Sequence, residues 1–314
     1  MKLEKLVNYS FDYSQIEKDH YVVQGYTVAS DNFVVSAYSK LSSLKRKLGF
    51  KERNSRLYIF DCSRRKLIGN ITLNHRAHVG GVAYDCYHDV LYVTGARGRV
   101  YAYSYELLKK WMLENKKRVF FSSKTFDYTS IINDNGAINI RNKDALNTVA
   151  SAASICYFDN TLYVATCSEV GCLVAYSLEY SSDNREVFAT PVVISKNLPA
   201  AIQGIAIYED KNIRYLVISQ SYGKSFSAIK KFELMNGLLH FIGQEVVNTP
   251  GMEGIYVDSF GNISAVFENS LTTSYITHVD RLVEDIDLSL EDKFIVGGRK
   301  NQRIVENNNK NRKK

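Results

Sequence analysis

The sequence predicts an all-β fold, a β-propeller of five blades with six as the alternative, and three observations predict it. A strand led by a small residue recurs at near-regular spacing, each copy is followed by further apolar strands in the same order, and residue usage favours strand over helix. Tyr (22) and Phe (15) are abundant and Pro is scarce (3) among the 314 residues, a composition suited to pleated, half-buried surfaces. Apolar residues make up 45% and charged residues 23%, enough to bury a large core.

The recurring segments are QGYTV from Gln24, GGVAY from Gly80, ASICY from Ala153, QGIAI from Gln203 and EGIYV from Glu253. Their small residues, Gly25, Gly81, Ser154, Gly204 and Gly254, are offset by 56, 73, 50 and 50 residues. About fifty residues accommodate four strands and their turns. A second apolar run follows each copy: NFVVSAY, VLYVTGA, TLYVATC, RYLVISQ and NISAVFE. A third strand ends in an aromatic in RLYIFD, RVYAYS, LVAYSL and AIKKFEL, with SYITHVD as the fifth. KLIGNITL, VFFSSKTF, VFATPVVI and LHFIGQEV are candidates for fourth strands.

The 73-residue offset predicts a short helical insertion near residues 104–117. In SYELLKKWMLENKK, Leu107 stands with Trp111 and Leu108 with Met112 at i,i+4, an amphipathic pattern, and Phe126 to Asp144 is expected to add a long loop. The N-terminal KLVNYSF is expected to pair into the last blade and close the ring, removing exposed sheet edges. Residues 1–296 are thus expected to form one domain.

Residues 297–314 read as a disordered basic tail, with seven basic residues against Glu306, which accounts for nearly all of the net charge of +7. The body is near neutral and lacks recognition-motif spacing, so nucleic acid is not an expected partner. A basic loop, Lys45 to Arg53, is too short to read as a membrane-surface helix. Five cysteines without a CxxC pair suggest a reduced interior. No apolar run can span a bilayer, and the first residues lack the apolar core of a secretory signal. The expected location is the cytoplasm, or outside the cell if a leader has been removed.

At HVGGVAYD (His78 to Asp85), QGIAIYED with ISQSYGK (Gln203 to Lys224), and MEGIYVD with VFENS (Met252 to Ser270), the chain resembles a group of poorly characterised bacterial β-propeller proteins in the YVTN/NHL-like superfamily. The resemblance covers roughly residues 22–281. It implies a propeller fold and a ligand-facing axis, with no established reaction. The basic insertion at Lys45 to Arg53 and the long stretch before the third repeat depart from the group.

In a propeller the first strand of each blade lines the central channel, so residues preceding the aligned small residues converge there. Gln24, Gln203 and Glu253 are the polar members. Ends of second strands add Tyr38, Arg97, Gln220, Tyr222 and Glu268, and His78 stands at the start of its repeat. Such a set suits binding of a small polar ligand, a glycan or a peptide in a polar central pocket. The alternative is a hydrolase or lyase acting on a carbohydrate-like substrate, with Glu253 and Glu268 as candidate catalytic carboxyls, one protonated and one ionised. A third reading, a protein-assembly scaffold, draws on the basic loop and tail alone.

No metal and no cofactor is expected. His75 and His78, at HxxH spacing, need not share a face of the chain. Cys167 and Cys172 read as small buried hydrophobes. The turns GARGR at Gly95 and GGRK at Gly297 lack the strand and helix context of nucleotide loops, and SQSYGKS contains no nucleophile elbow.

Overall fold

The computed structural model describes residues 13–40, 47–49, 52–73, 75–95, 99–114, 137–139, 152–166, 171–180, 187–221, 226–235, 238–247, 249–268 and 273–282. A short helix, α1 (Ser14–Lys18), leads into a first sheet of β1 (Tyr21–Ala29), β2 (Asn32–Ser39), β3 (Arg56–Asp61) and β4 (Lys66–Thr72). The second sheet holds β5 (Val82–Asp85), β6 (Val90–Thr94), β7 (Arg99–Ser104) and β8 (Ala137–Asn139), with helix α2 (Tyr105–Glu114) between its last two strands. The third contains β9 (Ala152–Phe158), β10 (Thr161–Thr166), β11 (Gly171–Tyr180) and β12 (Val187–Leu198). The fourth contains β13 (Ile202–Asp210), β14 (Ile213–Gln220), β15 (Ser227–Met235) and β16 (Leu238–Val247), and the last β17 (Met252–Val257), β18 (Asn262–Phe267) and β19 (Thr273–His278).

Every sheet is an antiparallel meander whose spatial order follows the chain, and together the sheets form a propeller-like arrangement. The apolar core consists of wedges between neighbouring sheets. Val34 and Ile59 pack with Leu91 and Tyr103, Tyr92 and Val100 with Leu162 and Val174, Tyr163 and Leu173 with Leu216 and Ile218, and Val217 and Ile229 with Ile263 and Ala265. A further wedge joins Tyr26, Val35 and Tyr58 of the first sheet to Val266 of the last, capped by Tyr13 and Ile16. Burial is lower on outer strands such as β4 and β16: β6 is buried throughout, whereas β16 exposes Leu238 and Phe241. A strand covered on both faces reads as a continuous apolar run, which is why VLYVT lacks alternation.

First strands touch in cyclic order, β1 with β5, β5 with β9, β9 with β13, β13 with β17 and β17 with β1. The aligned small residues make these approaches possible. A methyl group at Gly25 would lie 2.6 Å from the Gly80 carbonyl oxygen, at Gly81 2.6 Å from the Ile155 nitrogen, at Gly204 2.7 Å from the Glu253 oxygen, and at Gly254 2.8 Å from the Tyr26 nitrogen. In the third sheet the position is Ser154, whose Oγ accepts from the Ile205 N–H at 3.0 Å. Second-strand hydroxyls reinforce the contacts. Ser36 accepts from the Gly25 N–H (2.9 Å) and donates to the Val79 carbonyl (2.6 Å), and Ser219 donates to the Glu253 carbonyl (2.7 Å).

Helix α2 packs as its periodicity predicts, with Leu108 and Met112 buried against the first sheet's outer strand and Leu107 and Trp111 partly covered. Met112 reaches within 2.7 Å of where a methyl on Gly69 would stand. One expectation changes. The fourth strand of the second sheet is β8, drawn from within the stretch read as loop, and it pairs Ala137 with Tyr101 and Arg99 with Asn139. VFFSSKTF lies outside the described residues, as do the N-terminal KLVNYSF and the tail 297–314.

The Gly204→Ala substitution presses a methyl against backbone, which cannot rotate away, and is expected to destabilise the fold by about 1–3 kcal/mol. Ser219→Ala should cost about 1 kcal/mol through the lost hydrogen bond. Urea unfolding checks both, and a Gly204→Ala protein as stable as the parent would show that the first strands do not approach this closely.

Candidate functional site

A β-bulge interrupts four first strands at the residue before the aligned small residue. The ladder skips between Val23 and Tyr26 in β1, between Ile202 and Gly204 in β13, and between Met252 and Ile255 in β17. In β9, Ser154 and Ala152 take consecutive partners Ala165 and Thr166, so Ala153 is passed over. Gln24, Ala153, Gln203 and Glu253 therefore stand out of the ladder, the use of a bulge to re-aim a side chain.

Around the junction of the first, second and last sheets, a group of polar side chains meets. Gln24 (1% exposed) and Glu253 (6% exposed) lie deepest, on strands brought together by Gly254 packing against the Gly25 backbone. Half-buried Tyr38 and Glu268 follow. At the rim, Lys40 Nζ donates to Glu268 Oε1 at 2.9 Å, and the His78 ring packs on Tyr38 with centroids 4.5 Å apart.

The charges are coupled. Burial, reinforced by the Glu268 carboxylate and opposed by Lys40, pushes the Glu253 carboxyl up to about 8. Loss of water around the His78 ring lowers its imidazole below 6.5, with Glu268 opposing and Lys40 adding to the effect. The hydrogen bond to Glu268 raises the Lys40 ammonium, and burial raises the Tyr38 phenol. Near neutral pH the site therefore holds a protonated carboxyl beside an ion pair, with a neutral imidazole at the edge.

Tyr38, His78, Glu253 and Glu268 are brought together, and Gln24 is buried on the strand that packs against that of Glu253. The other glutamines serve their own sheet: Gln203 Nε2 donates to the Ser221 carbonyl at 3.1 Å, and Gln220 Nε2 to the Ala200 carbonyl at 2.5 Å. Register explains Gln220. Tyr38 follows Ala37, the partner of Val23, and Glu268 follows Phe267, the partner of Met252; the same step after Gln220, the partner of Ile202, falls on Ser221. Gln220 therefore faces away from the side that Tyr38 and Glu268 share. Arg97 and Tyr222 lie outside the described residues. Lys40 was missed by sequence reasoning, although a period of two from Tyr38, carried one residue past the end of β2, points to it.

The two histidines of HxxH take different partners: His75 stacks on Tyr101 at 4.1 Å while His78 packs on Tyr38. Burial pushes His75 down to about 4. Cys172 is buried in the wedge between the second and third sheets, as expected of a small hydrophobe, and Cys167 lies outside the described residues.

These shifts predict a stability profile. Glu253 binds its proton more tightly folded than unfolded, so its contribution is intact below pH 4.5 and is lost as pH rises to about 8. His75 and His78 act oppositely, costing stability as pH falls below 6.5. Between pH 6.5 and 8 the Glu253 effect is unopposed by the histidines. There, stability should fall with a slope of up to about 1.4 kcal/mol per pH unit, and Glu253→Gln should flatten it; chemical denaturation across that range checks this.

The chain matches no protein-family model and no curated protein. Among solved structures it is similar to a chain of the "Crystal Structure of Mitotic Checkpoint Complex", with a TM-score of 0.41 and 10% identity over 79% of this chain and 58% of that one. The chain thus spans less than two thirds of that protein's length. No helix among the described residues is long and apolar enough to cross a membrane.

Proposed function

We propose that the chain is a five-bladed propeller of the YVTN/NHL-like type, residues 1–296 forming the ring and 297–314 a basic tail, whose polar axial pocket binds a small polar ligand, a glycan or a peptide. The observation that carries this reading is the meeting of Tyr38, Lys40, His78, Glu253 and Glu268 at one end of the first strands, with Gln24 buried on the strand that packs against that of Glu253. Burying so many polar groups from separate sheets is unfavourable for packing alone, and a bulge at each of the two deepest positions orients them at a further cost to pairing. Supporting the cyclic closure are the core wedge between the last and first sheets and the contact of Gly254 with Gly25. The described cysteines carry free thiols, which suits a reducing, cytoplasmic setting.

One observation favours a second reading, a hydrolase or lyase acting on a carbohydrate-like substrate. Glu253 is held protonated near neutral pH while Glu268 is paired with Lys40, the division of labour that an acid and an ionised carboxylate need in glycosidic cleavage.

A panel of sugars and short peptides, followed by amide and side-chain chemical shifts, separates the readings. Binding should perturb Gln24, Tyr38 and His78, and Gln24→Ala should weaken it about tenfold, the loss of one buried hydrogen bond. In the enzymatic reading Glu253→Gln abolishes turnover while affinity survives. Shifts confined to the outer strands would discard both.

A further inference from the structure

The unmet hydrogen-bonding capacity of the site is on the acceptor side. Gln24 uses its Nε2 to donate to its neighbour's carbonyl, that of Val23, at 2.7 Å, and its buried Oε1 has no partner. On the strand packed against that of Gln24 the Glu253 carboxyl is buried, and among the described residues the only cation of the cluster, Lys40, is committed to Glu268. A group reaching Gln24 Oε1 must therefore bring a donor, and one that also pairs with Glu253 as a carboxylate must displace the proton that this carboxyl holds near neutral pH.

Charge narrows the class further. With both carboxyls ionised, the cluster holds two negative charges against the one positive charge of Lys40, the imidazole being neutral. One added positive charge balances it, and a neutral hydroxyl does not. Among the described residues no three His, Cys, Asp or Glu side chains are grouped to hold a metal ion. The aromatic rings of Tyr38 and His78 at the rim suit an organic cation, which can pass over ring faces that a strongly hydrated metal ion would avoid.

We infer that this site, taken as the ligand-binding site proposed above, selects a ligand bearing a primary ammonium group, which donates to Gln24 Oε1 and to the Glu253 carboxylate. Lys40 already shows the chemistry, its own ammonium resting on Glu268. That side chain is 55% exposed, so it is a weakly held internal competitor for the incoming cation. Binding exchanges a proton for the ammonium: Glu253 gives up its proton to water, and the carboxylate so formed pairs with the ligand. The groups acting on Glu253 in this exchange are Glu268, Lys40 and Tyr38, the first two joined as an ion pair, with the His78 ring packed on Tyr38.

The test titrates the full chain with n-butylammonium and with a blocked peptide carrying one lysine, against n-butanol and glucose as neutral probes. Side-chain shifts and calorimetry in two buffers of different ionisation enthalpy are recorded. Both cationic probes, or the peptide alone if the natural source is a polypeptide, should perturb Gln24 and Tyr38 and release a proton. Affinity should rise about tenfold per pH unit below about 8. Lys40→Ala should tighten binding, and Glu253→Gln should abolish it. Cationic probes that do not bind, bind no better than n-butanol, or bind without proton release overturn the inference; the proton count is read on the parent protein and so stands even if Glu253→Gln misfolds. Glucose binding at Gln24 and Tyr38 without the amines would sink the ammonium class and leave the ligand-binding reading intact, whereas shifts elsewhere only would sink both.

Discussion

The structure depends on a backbone contact repeated from sheet to sheet: the first strand of one sheet lies against the first strand of the next at a position where no side chain larger than a small one fits. Gly25, Gly81, Gly204 and Gly254 allow the approach by having no Cβ, and Ser154 allows it by turning its hydroxyl into the contact, accepting from the next strand's N–H. Dispersion falls steeply with distance, so the wedges of Val, Ile, Leu and Tyr behind these contacts close only if the inner strands do. The last contact, Gly254 on the Gly25 backbone, joins the end of the described chain to its beginning and lets Val266 pack with Val35 and Tyr58.

The same contact builds the site. A bulge just before four of the five small residues takes one residue out of the ladder, and the close approach of Gly254 to the Gly25 backbone then brings the strand positions of Gln24 and Glu253 together. Burial there is a consequence of backbone proximity. Glu253 has little water and a like charge nearby, and Lys40 offsets this only in part because it is bound to Glu268. The result is a carboxyl that holds its proton near neutral pH, buried where the last sheet packs on the first. Such an arrangement is costly as packing and useful as chemistry.

Second-strand hydroxyls show how the sequence adapts the contact locally. Ser36, Thr94 and Ser219 stand opposite glycines, and the first two accept from those glycines' N–H groups. Where the small residue is itself Ser154, the opposite position is Ala165. The hydroxyl has moved from one strand to its neighbour while the polar link to the next sheet is kept.

The amino-acid sequence by itself determined the strands, their grouping into meanders and the small-residue positions, because these rest on local periodicity and on spacing along the chain. RLYIFD and RVYAYS coincide with β3 and β7, and Leu108 and Met112 face inward on α2 as their spacing requires. Its repeat logic singled out Tyr38, His78, Glu253 and Glu268, which the fold brings together, and by the same logic Gln203 and Gln220, which bond within their own sheet. What only the tertiary structure decided was register and cross-sheet pairing. Gln220 and Ser221 differ by one step along β14, which reverses the face, and no local pattern distinguishes them. Lys40 and Glu268 are separated by 228 residues, and their pairing exists only because the last sheet packs on the first.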